Sequence, residues 1–112
     1  MARVRVARAS DVPARGALRV EVEGVPVAVW RVGDAFYAME DRCPHAGHAL
    51  HDGALRGCVV VCPQHGWDFD LRTGFRPGNA DGWPIPCFRV VVEGDELSLE
   101  TPAWNLPRRR GP

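Results

Sequence analysis

Cys43-Pro44-His45-Ala46-Gly47-His48 and Cys62-Pro63-Gln64-His65-Gly66-Trp67 are the two stretches on which the reading of this chain turns. Each offers a thiol and an imidazole, spaced Cys-x-His in the first and Cys-x-x-His in the second, with sixteen residues between the pairs. Ligands two or three positions apart on a loop can aim at one centre. Two such loops joined by a hairpin-length segment can face each other and close a site. Zinc accepts two cysteines and two histidines in a tetrahedron. Zinc fingers, however, commonly put both cysteines on one element and both histidines on the other, and here each loop is mixed. A two-metal centre accommodates the mixing if the ligands sort by residue type, one from each loop on each metal.

Around these loops the chain reads as short strands between tight turns. Segments 4–9, 18–23, 25–32 and 36–40 are rich in valine and aromatics, and a second set follows at 55–62, 67–71, 88–93 and 96–100. Glu23-Gly24, Gly33-Asp34 and Gly94-Asp95 supply residues that tolerate positive φ, so they read as hairpin turns. No ten-residue stretch carries a helical period. Twelve glycines and ten prolines at these spacings fit an all-β sandwich or barrel.

The 112 residues suffice for one domain. Fourteen arginines, with no lysine, balance fourteen acids to a formal charge of zero, whereas nucleic-acid binders normally carry a basic excess. No run approaches the ~20 apolar residues of a membrane span, and arginines interrupt the N-terminal segment where a secretory leader would be apolar. The expectation is a soluble, cytoplasmic protein with no nucleic-acid or membrane partner. In a reducing compartment a four-cysteine chain favours metal binding or catalysis over disulfides.

The two loops, with Leu50, Asp52-Gly53, Phe69-Asp70 and Thr73-Gly74, resemble the Rieske iron–sulfur family. The strand pattern around them extends the resemblance over nearly the whole chain. It implies an all-β Rieske fold across residues 1–103, an antiparallel base with a small inserted cluster-binding subdomain at about 41–83, and a tail at 104–112. It implies one [2Fe-2S] cluster, with Cys43 and Cys62 on one iron and His45 and His65 on the other. Two neutral imidazoles in place of two thiolates bring the oxidised cluster from −2 to 0. Adding an electron then costs less, and Rieske potentials lie at about −150 to +300 mV against roughly −400 mV for plant-type clusters.

The departures from one branch of the family are informative. Members in quinol-oxidising membrane complexes carry an additional cysteine in each loop and a serine after the second His-Gly; here those positions are His48, Gln64 and Trp67. Fewer donors to the sulfides imply the low end of the potential range. The resemblance is to the soluble ferredoxins that carry electrons from a flavin reductase to an oxygenase, with no catalytic activity of their own. Alternatives are a Rieske-like small subunit of a larger oxidoreductase, such as nitrite reductase, and a zinc-binding structural module.

The remaining residues have plainer readings. Cys58, within its valine-rich strand, reads as a buried structural cysteine; Cys87 sits at no ligand position, and a disulfide between the two is left open. His48 and His51 are surface or supporting histidines, and Leu50 shields the cluster. Gly47, Gly53 and Gly66 allow tight turns and close backbone approach to the sulfides, and the resemblance implies that a proline-containing segment within 77–86 covers a third side of the site. The tryptophans are packing residues, and 104–112 is a solvated tail. Asp41, Asp52, Asp68 and Asp70, with Arg42, Arg56 and Arg72, are candidates for partner docking.

Overall fold

The run Val25–Val32 is apolar on both faces, the pattern of a strand covered from two sides, and it forms β3 between two cores. The computed structural model describes residues 2–14, 16–43, 49–63, 66–78 and 84–105. Glu23 (φ 52°) and Gly24 (φ 82°) turn the chain between β2 (Ala17–Val22) and β3, closing the register at Val22 opposite Val25. Gly33 (φ 60°) begins the turn to β4 (Ala35–Glu40). These positive φ values give two-residue turns whose twist matches that of paired strands.

Two more strands complete a hairpin at the other end, β8 (Cys87–Glu93) and β9 (Glu96–Thr101), turned at Gly94. β8 meets β4 only at Ala38–Phe88 and Met39–Cys87, then continues against β9. β9 also pairs β1 (Ala2–Arg8), so the antiparallel sheet runs β1-β9-β8-β4-β3-β2. A three-stranded antiparallel sheet, β5 (Ala54–Arg56), β6 (Val59–Val61) and β7 (Asp68–Asp70), lies within the β4–β8 connection. The strand expected at 55–62 is therefore a hairpin, because Gly57 adopts φ 58° and reverses the chain at Cys58. Among the described residues the helical structure is a 3-10 turn at Ala9–Asp11, and no helix is long and apolar enough to cross a membrane.

Strand alternation divides the apolar residues between two cores. Val27, Val29 and Ala38 pack with Leu97 and Leu99 of the hairpin base. Ala28, Trp30 and Met39 face the other way, toward Val60 and Phe69 of the small sheet and toward Cys43 and Cys62. β3 and β4 are thus the wall between the base and the part that carries the two loops.

The segment after β9 staples that part down. Asn105 Oδ1 accepts from the Cys87 N–H at 2.7 Å, and its Nδ2 donates to the carbonyls of Thr73 and Ile85, both at 2.9 Å. Gly74 lies beneath this knot, where a Cβ would stand 2.3 Å from Ile85 O.

Candidate metal centre

The first loop leaves the core where β4 ends. The Asp41 N–H donates to Pro26 O at 2.8 Å, which holds the loop entrance against β3. Cys43 follows with no exposed surface. Residues 44–48 lie outside the described residues, so His45, Gly47 and His48 are not placed. The loop re-enters at Leu50, also without exposed surface, and a turn closed by Gly53 N–H on Leu50 O at 2.8 Å leads into β5.

The second loop joins β6 to β7. Cys62 is 1% exposed, its N–H donates to Trp67 O at 2.7 Å, and its carbonyl accepts from Gly66 N–H at 3.0 Å. Those two bonds close the loop upon itself, and Gly66 supplies the positive φ (72°) the closure requires. Gln64 and His65 lie outside the described residues. Trp67 packs against the core, and the Arg76 guanidinium sits over its ring at 4.3 Å from the centroid. A third wall comes from Ile85, which shares the core with both cysteines; residues 79–83 lie outside the described residues.

The fold therefore brings Cys43 and Cys62 into one apolar core with Leu50, Trp30 and Phe69. No disulfide joins any of the four cysteines. The thiolate is the form that binds metal. Two buried cysteines on adjoining loops are thus suited to a cation that neutralises them, and the donor set fits an iron–sulfur group. Among the described residues no three His, Cys, Asp or Glu side chains converge as donors; both imidazoles of the expected set lie outside them.

Other expectations are corrected. Asp41 is no docking residue: its carboxylate is fully buried. Asp70 is mostly buried and accepts two hydrogen bonds from the Arg72 side chain and one from its N–H, and those side-chain bonds hold its carboxyl below the usual range. Asp52, Arg42 and Arg56 remain exposed, and Asp68 is half-buried. Cys58 sits in a turn and is partly exposed, and Trp104 is 49% exposed instead of packed inside. Sequence reasoning missed the roles of Asp41 and Asn105. Their partners lie 9 to 32 residues away along the chain, and neither residue has a local signature for such a role.

The Rieske [2Fe-2S] domain family matches residues 2–88. Ferredoxin CarAc of Metapseudomonas resinovorans is 40% identical over 95 residues, covering 84% of this chain and 89% of the relative. The 3-phenylpropionate/cinnamic acid dioxygenase ferredoxin subunit of Shigella boydii serotype 4 (strain Sb227) is 34% identical over 103 residues, or 91% of this chain and 96% of the relative. Among solved structures, the complex of reduced oxygenase and oxidized ferredoxin in carbazole 1,9a-dioxygenase contains a similar chain. It matches at 36% identity with a TM-score of 0.78, over 96% of this chain and 97% of that one.

Proposed function

The chain belongs to the Rieske [2Fe-2S] domain family, and on that footing we propose that it serves an oxygenase as its ferredoxin, with a flavin reductase as donor. It is a Rieske electron carrier with one [2Fe-2S] cluster, similar to the ferredoxin components of dioxygenases. The cluster supplies a single one-electron couple. The chain's own residues would hold it: Cys43 and Cys62 as the thiolate ligands, His45 and His65 as the imidazole ligands. Leu50 and Ile85 keep water from the cysteine side, and the hydrogen bonds between Cys62 and residues 66–67 preset the second loop.

The observation that carries the ligand assignment is the burial of Cys43 and Cys62 in one core. Position 67 is tryptophan, which brings no hydroxyl to the sulfides, and this supports a potential at the low end of the family range. Protein-film voltammetry tests both points. A reversible one-electron couple near about −150 mV is expected. A couple well above 0 mV would overturn the low-potential reading, and the absence of a couple would overturn the carrier. Cys43→Ala and Cys62→Ala should each lose bound iron; an intact Rieske spectrum in either would remove that residue from the ligand set.

A further inference from the structure

Asp41 stands two residues before Cys43, so their Cα atoms lie within ~7 Å. Its buried carboxylate gathers donors from three directions. Oδ1 accepts from the N–H groups of Leu50 at 2.7 Å and His51 at 2.8 Å. Oδ2 lies 2.6 Å from His51 Nδ1 and 3.1 Å from Arg19 Nε on β2. One side chain therefore ties the start of the first loop to its end and anchors both to the base sheet. Leu50, whose N–H it holds, shares the core of Cys43 and Cys62. An anion in such a place is tolerated because backbone N–H groups meet one oxygen and the Arg19 guanidinium the other. It also fixes a negative charge, in a medium that screens poorly, close along the chain to a ligand sulfur.

We infer that Asp41 is a positioning residue for the metal centre, clasping the first ligand loop and, with Arg19, setting the fixed charge that biases its reduction. The inference rests on Cys43 being a ligand. Reduction adds negative charge, so a fixed anion opposes it and a fixed cation favours it. Neutralising Asp41 leaves Arg19 uncompensated and should raise the potential. Neutralising Arg19 leaves Asp41 less compensated and should lower it.

Voltammetry of the holoprotein and its Asp41→Asn and Arg19→Gln variants is the test. Asp41→Asn keeps the size and one carbonyl oxygen for the Leu50 and His51 amides. It should shift the reduction equilibrium about tenfold toward the reduced form, about 59 mV for one electron. Arg19→Gln should shift it the opposite way and by less, since the Arg19 side chain is 56% exposed. Opposite signs separate a charge effect from mere loosening of the loop, which has no reason to reverse between the two variants. Unchanged potentials, or shifts of the same sign, overturn the proposal. Where Asp41→Asn does not fold, Arg19→Gln decides alone: a downward shift supports the proposal, and no shift or an upward one overturns it. A wild-type protein with no couple would sink the ligand assignment and this inference with it. A wild-type couple indifferent to both substitutions sinks this inference alone.

Discussion

A Cβ on Gly53 would lie 2.3 Å from Val61 O and 3.0 Å from Leu50 O, so the start of β5 approaches β6 too closely for any side chain. Gly78 differs: its φ is 75°, but open space surrounds it. Gly78→Ala should cost about 1 kcal/mol, from left-handed backbone alone. Gly53→Ala must push a strand aside and should cost about 3 kcal/mol; urea midpoints of the two variants measure the difference. The sequence marked Gly53 as a tight-turn residue, and the closeness it serves is to a neighbouring strand. Cys87 is a second case. Burial pushes its thiol from 9.0 up to about 12. The folded state thus holds the proton more tightly than the unfolded one. That stabilisation is complete below about pH 9 and is lost as pH rises from there toward about 12. Urea stability measured across that window should fall in the wild type, and Cys87→Ala should lose that part of the fall while starting from a lower plateau. Cys58 and Cys87 each stand at the head of a valine-containing run, yet the first thiol is partly exposed and the second buried, because burial depends on what packs from elsewhere.

Hairpins were the most legible elements, since a glycine with positive φ acts on its immediate neighbours. Gly24, Gly33 and Gly94 each stand where the chain reverses. Gly57 was overlooked because the valine-rich residues after it continue an apolar run. The division of β8 between β4 and β9 had no local signal. The same holds for the segment after β9, whose proline-rich composition reads as solvated although Trp104 and Asn105 return to the start of β8. Asn105 uses its acceptor and both donors on backbone groups of the β7–β8 connection and β8. Asn105→Ala strands the Cys87 N–H and two carbonyls, so we expect a loss of about 2–4 kcal/mol. The urea midpoint should drop with an unchanged slope, since the surface exposed on unfolding stays the same. Asn105→Asp should not rescue it, because a carboxylate faces the Thr73 and Ile85 carbonyls with no donor.

The whole molecule is two cores sharing a wall, and this arrangement predicts how it responds to loss of metal. The base core of Val27, Val29, Leu97 and Leu99 lies across β3 and β4 from Cys43 and Cys62. Removing iron with a chelator should speed amide exchange through Leu50, Val60 and Phe69 while the base-core amides stay protected. Uniform exchange across both cores would show that they open as one unit. The strand and turn alternation, the all-β class and the two loops with their Cys-His spacing were legible along the chain, because each of these is written within a few neighbouring residues. Only in three dimensions is it settled which segments cover the two faces of β3, that Cys43 and Cys62 meet in one core, that Asp41 is interior and that Asn105 staples the connection to β8. Burial and long-range hydrogen bonding depend on segments distant in the chain, and no local pattern of residue types specifies which of them will meet.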